Sequence, residues 1–354
     1  MNDRFRDLVL GIFLAIMIVW ILHVGRGVIL PVVYGLLIAY IVIGLADFFA
    51  RIPVLGRRIP GGIRDAAAMV VIIAALLAVL SLVLANVGSF ATVAPEYQDR
   101  VLAGIQAIAS GIGFEAQPTW ETLREDVIGE IDMRGLVGST VSSLSTFVAT
   151  FSLVLIYVWF MLLERGSFLR KLERLSDDPA RRDAIRRVIR AINSRIGAYL
   201  AMKTAINVLL GVVCYAILIV AGVEGALFWA FVIGVTNYIP YVGSLVGVVF
   251  PVAISVVQFG AFGPVLVLAG ALTAAQITVG NFVEPSLMGD SLNLSPVAII
   301  LSLVFWTALW GVAGAILAVP VTAILVIVLS EFHGTRPLAI LLSRDGNIEG
   351  AKQP

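Results

Sequence analysis

Between residues 204 and 330 the chain contains no lysine, arginine or histidine, and its only acids are Glu224, Glu284 and Asp290. A stretch so poor in charge has little with which to cover a water-facing surface. It belongs in a bilayer, where every backbone N–H and C=O must be satisfied within the chain, and that means helices or a closed barrel. The remainder points the same way. Of the 354 residues 60% are hydrophobic and 13% charged, against a soluble norm of about 45–50% and about 25%. Long apolar runs select helices, so the expected fold class is an all-α polytopic membrane protein.

Residues 1–89 supply three spans, at 8–24, 27–49 and 66–89, with a basic turn of Arg51, Arg57, Arg58 and Arg64 before the third. The first is a retained span, since no small-residue cleavage site follows it and another apolar run begins at once. Residues 90–138 change character: eight acids stand against three arginines. Val101, Ile105, Ile108 and Ile112 share one helical face, as do Leu123, Val127 and Ile131, which predicts an amphipathic helical cap outside the cytoplasm. Residues 139–163 make the fourth span, closing on Tyr157, Trp159 and Phe160, an aromatic cluster suited to a membrane interface.

Residues 164–203 carry eleven Lys or Arg against five acids. Asp178 before Pro179 reads as an N-cap with proline at the first helical position. Ile185, Ile189, Ile192 and Ile196 then stripe one face. A basic helix beside membrane spans is a cytoplasmic, lipid-facing helix and not a nucleic-acid reader. With the N-terminus in the cytoplasm, each basic segment falls inside and the acidic cap outside. The same count leaves the 331–354 tail cytoplasmic. The single cysteine, Cys214, allows no intramolecular disulfide.

Residues 204–330 read as a transport unit. Span five covers 204–222. The next apolar stretch, 225–258, is too long for one crossing of about 20 residues and too short for two. It is broken at Asn237-Tyr-Ile-Pro-Tyr-Val-Gly243, leaving arms of about a dozen and about fifteen residues, which suits a re-entrant hairpin. After a full span at 262–283 the pattern returns at 296–330, with a break at Trp310-Gly311 and Pro320 in the second arm where the first hairpin has Pro251. About six full spans plus two broken hairpins result, arranged as an inverted repeat. Eight full spans fit the charges equally well.

Polar groups inside a membrane segment usually face a cavity. Thr273, Gln276, Gly280 and Glu284 fall on one face of an α-helix, with Asn281 beside it. Gln276, Asn281 and Glu284, together with Asn237, Tyr241 and Trp310 at the breaks, form the candidate set for binding a solute or ion. Pro240, Gly243, Gly311 and Gly314 form the tips. Pro251, Pro285 and Pro320 are the candidate hinges. With no base in this half, a neutral polar solute or a cation suits it better than an anion.

The runs Asn237–Gly243, Asn281-Phe-Val-Glu-Pro-Ser-Leu-Met-Gly289 and Leu309-Trp-Gly-Val-Ala-Gly-Ala-Ile-Leu-Ala-Val-Pro320 resemble the signature stretches of the autoinducer-2 exporter family of prokaryotic membrane proteins. The likeness covers the whole plan of the chain and is specific from about residue 195 onward. Two departures stand out: Ser244 where many members have proline, and Gly44-Leu45 where an Asn-Pro is expected. The resemblance implies a transporter of the prokaryotic plasma membrane. It further implies either export of autoinducer-2, a small polyhydroxylated molecule, or exchange of sodium or lithium for protons.

The leading expectation is therefore an exporter of a small polar solute by alternating access, coupled to an ion gradient. The alternative is a Na+(Li+)/H+ antiporter with Glu284 as its titrating group, and a non-transporting membrane scaffold is the third reading. An enzyme is disfavoured: His23 and His333 are the only histidines, which leaves no His-Glu-x-x-His zinc motif, and Asp290 has no evident aspartyl partner. No cofactor or metal is expected. The expected partners are membrane lipid, the solute with Na+ or H+, and further copies of the chain, since the cap and the isoleucine stripe both offer apolar faces.

Overall fold

The structure is a computed structural model and describes residues 3–51, 60–111, 133–174, 177–288, 292–332 and 334–346. Among these residues all extended elements are helical. They are α1 (Asp3–Val24), α2 (Arg26–Arg51), α3 (Gly61–Gly111), α4 (Met133–Glu173), α5 (Pro179–Val220), α6 (Ala226–Thr236), α7 (Val242–Phe259), α8 (Phe262–Thr278), a π-helical turn (Val279–Val283), α9 (Glu284–Met288), α10 (Pro296–Trp310), α11 (Val312–Glu331) and α12 (Arg336–Leu342). Among the described residues seven helical stretches are long and apolar enough to cross a bilayer, and 9–24, 226–236 and 296–310 are shorter apolar helices. The chain is a multi-pass, all-α membrane protein.

Several boundaries differ from the sequence reading because helices run past the ends of their apolar windows. The third span continues without a break to Gly111, into the region read as the cap. Residues 112–132 of that cap lie outside the described residues, as do the side chains of 87–144 and hence the cap's apolar stripes. The basic segment is split between two helices: residues 164–173 extend α4, while 179–203 run on into span five as one helix, α5, which begins at Pro179 with the Asp178 carboxylate accepting the Ala180 N–H at 2.9 Å. The hairpin arms are unequal. The first has 11 and 18 residues, the second 15 and 20. At 1.5 Å per residue, α6 is only about 17 Å long, well short of a hydrocarbon core of about 30 Å.

The chain divides into two compact units, one of residues 1–69, 149–203 and 288–354, the other of 70–148 and 204–287. The two hairpins therefore belong to different units, and the division at residue 287 falls inside the segment read as a single transport unit.

In the first unit the core gathers Leu37, Ile196, Tyr199, Trp306, Leu317 and Ala318, among others. Ile192 and Ile196 of the predicted stripe pack into it, so that face of α5 is partly used within the chain. Ser295 starts α10 by accepting the Ala298 N–H at 3.1 Å, with Pro296 at the first helical position. Arg187 of α5 meets Glu331, the last residue of α11, at 2.7 Å.

In the second unit α5 presents Ile206, Leu210, Cys214 and Leu218, all essentially fully buried. Small residues bring α6 against it. A Cβ on Gly234 would sit 3.1 Å from the Asn207 carbonyl oxygen, and one on Gly211 would sit 3.4 Å from that of Ala230. Close backbone approach of this kind is how helices gain contact in lipid, where water provides no drive for association.

Candidate functional site

The first break is a short, strained turn. Thr236 ends α6 and Val242 begins α7. Between them Tyr241 adopts φ 63°, ψ −47°, and the Val242 N–H bonds the Pro240 carbonyl at 2.7 Å. That is the geometry of a classical γ-turn, rare for any residue with a side chain. Gly243 is obligatory, since a Cβ there would run into the Thr236 carbonyl oxygen. At the other end Gln258 closes the hairpin, donating to the Gly222 carbonyl at 2.7 Å and accepting the Glu224 N–H at 2.9 Å. The two open ends of the hairpin are thereby pinned together.

A polar cluster lies at the break. Asn237 Nδ2 donates to Asn207 Oδ1 at 2.8 Å. The Tyr238 and Thr204 hydroxyls share a hydrogen bond of 2.7 Å. Asn207 is only 4% exposed; its amide also interacts with the Tyr238 hydroxyl, yet its Nδ2 has no hydrogen bond of good geometry. The candidate set contained Asn237 but not Asn207 or Thr204. The missed signal was an asparagine three residues before Leu210 and seven before Cys214, on the buried stripe of span five, where a polar residue is costly unless it has a task.

One helix pair over, Gln276 of α8 abuts α7. It is 8% exposed, and a Cβ on Gly247 would come within 2.7 Å of its Nε2. That Nε2 is buried without a partner. Pro251, fully buried inside α7, has no N–H to give the Gly247 carbonyl its usual helical bond. An unanswered donor therefore lies beside the residue whose carbonyl lacks its normal helical donor.

Beyond Gln276 the helix does not stay α-helical. The π-turn Val279–Val283 contains an extra residue, which rotates the downstream side chains by about 100° relative to an uninterrupted helix, and α9 carries the path on to Met288. The single face drawn through Thr273, Gln276, Gly280 and Glu284 is therefore corrected: Thr273 and Gln276 keep their α-helical spacing within α8, whereas Glu284, beyond the π-turn, is rotated off it. Gln276 is buried, Thr273 and Gly280 are exposed, and Glu284 is half-buried. Asn281 and Pro285 are exposed. Tyr241 is 61% exposed.

The second break belongs to the other unit. Gly311, at φ 65°, ψ −143°, turns the chain in a conformation essentially reserved for glycine. Gly314 packs so tightly that a Cβ would strike the Trp306 carbonyl oxygen. Trp310 is buried: its ring stands 4.8 Å from that of Trp306 and its Nε1 donates to the Leu22 carbonyl at 3.0 Å. Trp306 Nε1 in turn donates to Thr322 at 2.9 Å. Pro320 is buried within α11.

Residues 10–334 match the family model described as the AI-2E family transporter. The chain belongs to the AI-2E transporter family. Among its relatives is the AI-2 transport protein TqsA of Escherichia coli (strain K12), 30% identical over 324 residues covering 89% of each chain. Another, from the same strain, is named "Putative transport protein YhhT"; it is 26% identical over 328 residues, covering 91% of this chain and 89% of the relative. Within this AI-2E transporter the γ-turn at Tyr241 and the glycine turn at Gly311 are the two irregular connections inside hairpins, each backed by a glycine that admits a carbonyl. The first shares its unit with the unsatisfied buried amides of Asn207 and Gln276.

Proposed function

We propose that this transporter exports a small, neutral, hydroxyl-bearing solute across the prokaryotic plasma membrane by alternating access. The observation that carries the reading is the Gln276 amide beside Gly247. A hydroxyl group both donates and accepts, so one hydroxyl could accept from Nε2 and donate to the Gly247 carbonyl. A cation would face the amide donor, and an anion the carbonyl. The name of TqsA, an AI-2 transport protein, supports a signal molecule of that class as cargo. The short α6 arm supports re-entry of the first hairpin from outside. The arginine and lysine bias supports cytoplasmic termini.

The test is flux from proteoliposomes loaded with a panel of neutral polyols, sugars and autoinducer-2. Saturable efflux that disappears in Gln276→Met carries the proposal; flux that survives the substitution refutes the assigned site, and no saturable flux for any solute favours the scaffold.

The antiporter reading rests on a different feature, the π-turn that ends on Glu284, whose N–H bonds the Val279 carbonyl. π-turns recur at functional sites. Glu284→Gln separates the two: lost sodium-driven pH change in vesicles supports antiport, whereas intact pH exchange with lost solute efflux removes it.

A further inference from the structure

A cavity of about 340 Å³ opens where α3 begins and α4 leaves its apolar span, lined by Asp65, Ala66, Trp159, Leu163, Arg165 and Gly166 among others. Both spans have an end here, at Gly61 and at Phe168, so the cavity sits at a membrane interface. Its walls are of two kinds. Ala66, Leu163 and the half-exposed Trp159 are apolar or amphipathic, as suits the boundary between acyl chains and headgroups. The polar part is an ion pair, with Arg165 Nη2 3.3 Å from Asp65 Oδ2. Gly166 leaves open room, with nothing within 4 Å of where its Cβ would be, and so does Gly62.

We infer that this cavity binds the headgroup of a zwitterionic phospholipid, its phosphate on Arg165 and its ammonium on Asp65. A guanidinium has five N–H donors and a carboxylate about four lone-pair sites, so the pair keeps capacity after meeting each other. Asp65 Oδ1 is not the atom that meets Arg165. A headgroup with both charges is answered at both ends, whereas a purely anionic one is drawn to Arg165 and repelled by Asp65. A primary ammonium also has N–H groups to donate to the carboxylate, which a quaternary one lacks. The acyl chains then leave along the apolar wall into the adjacent leaflet. Neither residue of the ion pair takes part in the proposed cargo site.

The experiment is native mass spectrometry of the full chain released from detergent with equal amounts of short-chain phosphatidylethanolamine, phosphatidylcholine and phosphatidylglycerol, with inorganic phosphate as a soluble competitor. Phosphatidylethanolamine should be retained about tenfold over phosphatidylglycerol, the effect of one charge-assisted hydrogen bond. Asp65→Asn should erase that preference, and Arg165→Gln should weaken all three lipids. Gly166→Leu keeps the ion pair and favours the helix, so loss of lipid there reports a filled cavity and not a broken fold. Equal retention of the ethanolamine and glycerol lipids by the unaltered protein would overturn the inference. So would undiminished binding in Gly166→Leu, or displacement of lipid by millimolar phosphate.

Discussion

Asn237, at the break of the first hairpin, donates its side-chain amide to Asn207 of α5 across 2.8 Å. The break is thus tied to a neighbouring helix by side chains. These side-chain bonds add to backbone bonds that continue past Thr236, from the Asn237 N–H to the Ile233 carbonyl and from the Ile239 N–H to the Thr236 carbonyl, and the Thr204–Tyr238 hydroxyl pair lies one residue along. In lipid no water competes for these groups, although the unfolded chain also finds partners. Measured side-chain couplings between membrane helices accordingly average about 0.6 kcal/mol, with a maximum near 1.7. A double-mutant cycle of Asn207→Ala and Asn237→Ala, read by unfolding in mixed micelles, should give a coupling in that range. A value indistinguishable from zero would mean the contact does not hold the break.

Gly243 and Gly314 should tolerate no side chain. At both positions a Cβ meets a backbone carbonyl, of Thr236 and Trp306 respectively, and backbone cannot move aside as a flexible side chain can. Alanine at either site should cost roughly 1–3 kcal/mol, the usual penalty of overpacking. Gly270, in the interior of α8 with nothing within 4 Å, is the internal control. Alanine there should be neutral or stabilising by up to about 1 kcal/mol. Thermal unfolding of the three variants in one detergent orders them, and equal midpoints would refute the argument.

The sequence made the helices and both breaks legible, because apolar length and the Gly, Pro and Trp punctuation are local signals. It made α5 legible from Asp178 and Pro179. It did not reveal that α5 carries the basic helix and span five without interruption, since charge composition changes at residue 204 while the backbone does not. Asn207 was hidden for the same reason: within an apolar run, one asparagine reads as tolerated until its stripe is known to be buried. The face through Gln276 and Glu284 failed because α-helical spacing was assumed through Val279–Val283, and a π-turn has no clear compositional mark. Trp310 was exposed to misreading too. A tryptophan beside a break suits a stacking platform or a core anchor equally well, and only its bond to the Leu22 carbonyl identifies what its Nε1 does.

Tyr241 pays for its γ-turn in backbone strain, of order 1–3 kcal/mol for such a conformation, while its ring is largely exposed. Tyr241→Gly should therefore raise unfolding stability by about 1 kcal/mol, despite losing an aromatic side chain. If the strained tip takes part in opening, the same variant lowers the transport rate without changing apparent affinity. Reduced stability on measuring Tyr241→Gly would show that the ring contributes more than the strain costs.

The sharpest case is Gln276. Its buried Nε2 has no partner, and an unsatisfied buried polar group costs about 1–3 kcal/mol. Methionine has nearly the same length and shape and asks for no hydrogen bond. Gln276→Met should thus make the protein more stable by about 1 kcal/mol while abolishing solute flux, a trade expected where a site stays unsatisfied until its ligand arrives. The opposite pairing is equally informative. A water held between Nε2 and the Gly247 carbonyl would satisfy both groups without any ligand. Gln276→Met would then lower stability, and the hydroxyl-binding role would fall with it. Measuring unfolding midpoint and flux on the same preparation decides between these, because the two accounts predict opposite signs for the stability change.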